Sequence, residues 1–160
     1  MIQHQTGLDR LVFSAGHFIT FGDNTCESLH GHDYRVAVEV EGPLSENQYV
    51  IDFCLLEKFV GEIISELDHR TLLPSKHPAI KVAADDKQVE ARFADRRWVL
   101  PRADCVLLDM ANTTSESLAH HIAAKLRASL RHAGALLTSI EVSINESPGR
   151  TAVCRLRVEG

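Results

Sequence analysis

The chain has 160 residues, 44% of them hydrophobic and 24% charged, with a formal net charge of −5, enough for one domain with an ordinary core. The acidic balance argues against nucleic acid or an anionic membrane surface as the main partner, and no apolar run reaches the roughly 18 residues of a membrane span. The start does not read as a secretory signal, and the cysteines at positions 26, 54, 105 and 154 form no Cys-x-x-Cys; they are expected to be free thiols in a cytoplasmic protein, with Cys54 and Cys154 buried.

Two strands, about 8–20 and 32–41, open the chain. Leu11, Phe13, Ala15 and His17 share one face of the first; His30, His32, Tyr34, Val36, Val38 and Val40 share one face of the second, because strand side chains alternate. Asp33, Arg35, Glu39 and Glu41 fall on the opposite face. All three histidines therefore continue an apolar, core-facing row. Three neutral imidazoles suit Zn²⁺, and three protein ligands leave a fourth position open for water or substrate. The plainer alternative is a pair of half-exposed strand histidines and an unrelated third. Cys26 lies in the polar turn Gly-Asp-Asn-Thr-Cys-Glu-Ser, ahead of His30. It is either a fourth ligand that closes a structural site, or a thiol beside a dication, with a lowered pKa, that acts as base or nucleophile.

Gly42-Pro43 ends the second strand, and Asp52 is placed to cap a helix. Leu56, Phe59, Val60, Ile63, Ile64 and Leu67 follow at helical spacing, giving a helix over about 53–67. Asp68-His69 then reads, taken alone, as a solvated helix end where a histidine complements the dipole. The segment of about 77–109 reads as an excursion of two or three short strands around Asp85-Asp86-Lys87. Its basic residues alternate with Asp85, Asp86, Glu90 and Asp95, so most are expected to be solvated. Arg96-Arg97 beside Trp98 is the candidate pair for phosphate oxygens. Thr113-x-x-Glu116 matches a capping box, and Leu118, Ile122, Leu126 and Leu130 continue a second helix to Gly134. His120 and His121 on that helix are expected to be structural. Ile140, Val142, Ile144 and Glu146 share a strand face; a carboxylate there is either a solvent-facing strand end or a buried group that requires a partner. Pro148-Gly149 turns into a last strand with Ala152, Cys154, Leu156 and Val158 inward. The order gives an α+β fold over residues 1–160, a single domain with an antiparallel sheet and two helices on one face.

Five motifs in order, Phe-Ser-Ala-x-His ending at His17, Cys-x-x-x-His-Gly-His from Cys26 to His32, Leu67-Asp68-His69, a Thr/Ser-x-Glu helix start and the strand-end Glu146, resemble the 6-pyruvoyltetrahydropterin synthase / 6-carboxytetrahydropterin synthase family. The resemblance implies the T-fold (tunnelling fold), in which subunits close a β-barrel, often as a dimer of trimers, with active sites at subunit interfaces. It implies a pterin triphosphate substrate, 7,8-dihydroneopterin triphosphate, and bound zinc. Carried onto this chain, it makes His17, His30 and His32 the zinc ligands, Cys26 the catalytic thiol and Asp68-His69 its proton-transfer partners. Glu146 anchors the guanidine-like edge of the pterin, assisted by Thr114, Ser115 and Glu116. The three-residue gap between Cys26 and His30 is similar to that of bacterial 6-carboxytetrahydropterin synthases. The segment of about 77–109 departs from the family's short link at that place. The expectation is a zinc-dependent, homohexameric lyase that forms 6-carboxy-5,6,7,8-tetrahydropterin. The alternatives are formation of 6-pyruvoyltetrahydropterin, side-chain cleavage alone, or zinc or pterin binding without catalysis.

Overall fold

The computed structural model describes residues 2–22 and 25–158. β1 (His4–His17) and β4 (His30–Gly42) pair antiparallel, with Phe13 opposite Tyr34, Ala15 opposite His32 and His17 opposite His30. β10 (Ser139–Ser147) lies antiparallel to β4, and β11 (Arg150–Arg157) antiparallel to β10. These are the four long strands that alternation foretells. The first starts earlier than expected and stops at His17; beyond it, β2 (Thr20–Phe21) and β3 (Thr25–Cys26) form a separate two-stranded pair. The middle of the polar turn, residues 23–24, lies outside the described residues.

Two short strands extend the sheet. β5 (Arg70–Pro74) runs parallel to β1, and β9 (Cys105–Leu108) parallel to β5. The order is β11-β10-β4-β1-β5-β9, antiparallel through its four long strands and parallel at one end. The excursion is thus narrower than expected, since residues 105–108 belong to the main sheet. It consists of β6 (Lys81–Ala84), β7 (Gln88–Phe93) and β8 (Arg96–Pro101), a three-stranded antiparallel sheet. Ile80, Val89, Ala91 and Phe93 form a small second core with Phe18, Leu73 and Cys105. This packing seats the excursion against the ends of β1 and β5.

The helices cover one face of the main sheet. Asp52 caps α1 (Phe53–Ser65) through the Cys54 N–H at 2.8 Å, and Leu56, Val60, Ile63 and Ile64 turn inward. Cys54 lies on the opposite side of that helix and is exposed, contrary to expectation; Cys154 is half-buried, and Cys105 is the buried thiol. A helix places residues two apart on different faces, so apolar neighbours in sequence did not mean burial for Cys54. α2 (Ser115–His132) starts one residue later than the expected capping box. Thr114 is its cap, accepting from the Ser117 N–H at 3.3 Å. Thr113 is fully buried and donates to the Phe18 carbonyl. Gly134, at φ 77°, ends the helix in the left-handed conformation. Leu118, Ile122, Leu126 and Leu130 pack with the α1 row against Val36, Val38, Ile140 and Val142 of the sheet. Among the described residues no helix is long and apolar enough to cross a membrane.

The β1–β4 pairing is close at Gly7, where an added Cβ would run into the Val38 carbonyl oxygen and stand 3.1 Å from the Glu39 Cα. Gly7→Ala is expected to cost about 1–3 kcal/mol by overpacking, read as a lower urea midpoint at unchanged m-value.

Candidate metal centre and active site

The β1–β4 register places His17 beside His30, with His32 one pleat further on the same face. Ring centroids are 4.9 Å apart for His17–His30, 5.2 Å for His17–His32 and 4.8 Å for His30–His32. One ring nitrogen from each lies within 4.8 Å of the others. His17 Nδ1 donates to the Thr113 carbonyl at 2.8 Å, and His30 Nδ1 to the Ser28 carbonyl at 2.8 Å. A carbonyl only accepts, so both rings carry the proton on Nδ1 and present Nε2 as a lone pair. His30 Nε2 and His32 Nε2 are 3.0 Å apart, near the ~3.3 Å of two nitrogens about 2 Å from one tetrahedral ion. Burial keeps His17 below its ordinary pKa, hence neutral. This donor set fits zinc.

Tyr34 packs its ring edge-on against His17 and His32, at 5.8 and 5.4 Å between centroids, and stacks on Phe13. Among the described residues its buried hydroxyl has no hydrogen-bond partner. Burial, then the Glu146 and Glu27 carboxylates, push its pKa well up, so it is a neutral donor. Buried polar groups are nearly always partnered; an unpaired hydroxyl packed on two of the imidazoles fits a centre that takes a further polar group.

Cys26 ends β3 and is half-buried, and its Sγ lies 3.5 Å from the Glu27 carbonyl. Burial pushes the thiol up in pKa, with Arg96 opposing and Glu27 reinforcing. The protein alone therefore favours the thiol, and a lowered pKa here requires an added cation. Glu27 is a residue that sequence reasoning missed. It is half-buried; its Oε2 accepts from the Ile19 N–H at 3.2 Å and lies 3.8 Å from His30 Nε2. The only signal in sequence was its place beside Cys26, which strand alternation would have turned to the far side.

Asp68 and His69 form a pair, Oδ2 to Nδ1, at 2.9 Å. Asp68 Oδ1 accepts from the Ser14 N–H at 2.8 Å, and the His69 N–H donates to the Ser14 carbonyl at 2.6 Å. The Ser14 N–H first, then His69, hold the carboxyl below its usual range. His69 is left-handed, φ 56°, a backbone state that a non-glycine residue holds only where its surroundings enforce it. Its ring is 82% exposed. It lines a cavity of about 520 Å³ with Ser14, Gly16, His32, Arg70 and Thr71; Cys26 is not among the lining residues. Through His32 this cavity reaches the histidine triad, while the thiol lies outside its lining.

A second hollow, of about 370 Å³, is lined by His17, Thr114, Ser115, Glu116, Glu146 and Arg150 among others, a size suited to a small ligand. Ser115 donates to Glu146 Oε2 at 2.7 Å. The half-buried carboxylate has the partner that its place on an apolar face demanded. His17 belongs to both the hollow and the triad, so the two adjoin. Arg96 and Arg97, the candidate phosphate pair, are committed elsewhere. Arg97 Nε donates to Glu90 Oε2 at 2.6 Å, and Arg96 binds the carbonyls of Cys26 and Glu27.

A family model described as 6-pyruvoyl tetrahydropterin synthase matches residues 9–157. A Methanocaldococcus jannaschii protein assigned as a 6-carboxy-5,6,7,8-tetrahydropterin synthase is 36% identical over 151 residues, 93% of this chain and 92% of its own. A dihydroneopterin monophosphate aldolase from Pyrococcus furiosus is 41% identical over 63 residues, 39% of this chain and 53% of its own. The solved 6-pyruvoyl tetrahydropterin synthase of Plasmodium falciparum superposes with a TM-score of 0.90 at 25% identity, covering 98% of this chain and 99% of that one.

Burial of His17 has a measurable consequence. The unfolded chain binds a proton at this histidine near its ordinary value of 6.5, whereas the folded chain, with its pKa lowered, does so only below that. Stability is therefore full above about pH 6.5 and falls as pH drops toward the folded value. Urea midpoints of chelator-treated protein are expected to fall between pH 7.5 and 5.5, and less so in His17→Gln. An equal fall in both proteins would show that His17 titrates normally.

Proposed function

The chain belongs to the 6-pyruvoyl tetrahydropterin synthase family, and from that premise we propose that it is a zinc-dependent lyase converting 7,8-dihydroneopterin triphosphate to 6-carboxy-5,6,7,8-tetrahydropterin. The observation that carries this reading is the convergence of three imidazoles between the Cys26–Glu27 turn and a carboxylate pocket. His17, His30 and His32 hold the metal, which when bound supplies Lewis-acid polarisation of side-chain hydroxyls.

The remaining work falls to side chains. Glu146, braced by Ser115, accepts the N–H groups of the pterin's guanidine-like edge, with Thr114 and Glu116 at the mouth of the same pocket. Cys26 takes a proton from a side-chain carbon next to oxygen. Asp68 fixes the His69 ring through Nδ1, so Nε2 is free to give or receive a proton. Triphosphate leaves, a side-chain carbon–carbon bond breaks with uptake of one water, whose oxygen enters the carboxyl group, and the remaining two carbons depart as an aldehyde.

Assembly follows from the edges. β11 is an edge strand, and β1 meets β5 only at Ala15 and Gly16, which leaves long unpaired edges that another chain can pair. We read the protein as a homohexamer, a dimer of trimers, in which Asp68–His69 of one copy serves Cys26 of another. That Cys26 is not among the residues lining the His69 cavity supports this reading.

Glu27 favours a second reading. A carboxylate beside His30 offers an alternative base, and the Pyrococcus furiosus relative is an aldolase; side-chain cleavage would then proceed without Cys26.

Zinc content should be about one per chain and drop sharply in His30→Ala; a fully loaded variant would overturn the ligand assignment. Cys26→Ala should retain zinc and fold but lose about 10²–10⁴-fold in turnover, the span of one proton-transfer role. Chromatography of the products from dihydroneopterin triphosphate decides between the readings: a carboxypterin abolished by Cys26→Ala supports the first, and a cleaved pterin abolished by Glu27→Gln but not by Cys26→Ala supports the second.

A further inference from the structure

Arg96 stands on β8, 70 residues from Cys26 in sequence, yet its Nη1 donates to the Cys26 carbonyl at 2.7 Å and to the Glu27 carbonyl at 3.0 Å. Its guanidinium lies over the Trp98 ring, 4.7 Å from the centroid. Trp98 stacks on Phe18 at 4.3 Å and an interplanar angle of 16°. Phe18 is fully buried and directly follows His17. One chain of contacts thus runs from the turn that carries Cys26 and Glu27, through Arg96 and Trp98, to the strand end that carries a metal ligand.

The neighbouring arginines differ. Arg92 and Arg97 both pair with the Glu90 carboxylate. Arg96 gives its charged donors to two consecutive backbone carbonyls and its flat face to an aromatic ring, a use that suits a planar fork. The turn needs such support. β2 and β3 are two residues each; Asn112 and His77 hold the β2 side through Thr20, whereas the β3 side is tied through Glu27, whose N–H donates to the Ile19 carbonyl and whose carboxylate accepts from the Ile19 N–H.

We propose that Arg96 is a positioning residue for the active-site turn: by binding the Cys26 and Glu27 carbonyls it fixes where the thiol and the carboxylate stand relative to the three histidines. It acts through the backbone and does not touch the substrate. The excursion is then a rigid wall of the site, with Trp98 and Phe18 as the joint between them. The inference rests on the reading of this turn as the reacting segment. Displacing a reacting group by about 1 Å costs on the order of 10²-fold in rate, whereas binding through the Glu146 pocket is left as it was.

The test uses full-length, zinc-loaded Arg96→Ala, Arg96→Lys and Arg97→Ala, with dihydroneopterin triphosphate as substrate and amide hydrogen exchange as a second readout. Arg96→Ala should lower kcat about 10- to 100-fold, with KM within about twofold. Exchange across residues 25–29 should accelerate at least about tenfold, with the two helices unchanged. Arg96→Lys should restore part of both effects, and Arg97→Ala should match the parent. A rise in KM at constant kcat would make Arg96 a substrate ligand and overturn the proposal. Unchanged exchange across 25–29, or acceleration spread evenly over the chain, would overturn it as well. If Arg96→Ala fails to fold, Arg96→Lys and Arg96→Gln carry the same comparison. An active Cys26→Ala would refute the assignment of the thiol, whereas the exchange result would still report on the clamp.

Discussion

The site depends on the register of one antiparallel pair. Gly16 faces Gly31 across the β1–β4 ladder, flanked by His17 opposite His30 and Ala15 opposite His32. A slip of β4 by one residue would turn His30 and His32 to the other face of the sheet, away from His17, and bring Asp33, Arg35 and Glu39 inward. Register is pinned from the edge of the site inward by Phe13, Tyr34, Val36, Val38 and Val40, all buried. The same apolar row that builds the core thus aims the imidazoles, and burial keeps at least His17 neutral. Packing, position and protonation state have a common origin here.

Around that pair the molecule stores polar order in the backbone. The Thr113 carbonyl fixes His17, the Ser28 carbonyl fixes His30, Ser14 fixes Asp68, and two carbonyls receive Arg96. Backbone groups are more rigidly placed than side chains, so each partner loses little further freedom on binding. The left-handed His69 belongs to this pattern, since Ser14 pins its N–H as well as its neighbouring carboxylate.

Much of this was legible in sequence, where a period carried the signal. Alternation gave the four long strands and put the histidines and Glu146 on the buried side; the 3.6-residue period gave both helices. β5 and β9 were missed because four or five residues without alternation, such as Leu72-Leu73 in β5, do not announce a parallel strand. The α2 cap was misplaced by one residue because only Thr113 has a Glu three residues on, yet its hydroxyl is spent on the Phe18 carbonyl and Thr114 caps instead. Glu27 was missed because β3 ends at Cys26, where alternation ceases to hold. Arg96 stood only as a candidate for phosphate because a sequence shows charge, not the distant carbonyls that take it.

The bond from His17 to Thr113 spans 96 residues, and that from Arg96 to Cys26 spans 70. During synthesis all three histidines leave the ribosome early, but the carbonyl that orients the first of them comes much later. Contacts so far apart form late, because the intervening chain must close first. An unfinished chain therefore holds the imidazoles without their alignment and the thiol without its anchor. The triad's alignment waits on chain that follows its last histidine by about eighty residues, a timing set by nothing more than the spacing of partners along the sequence.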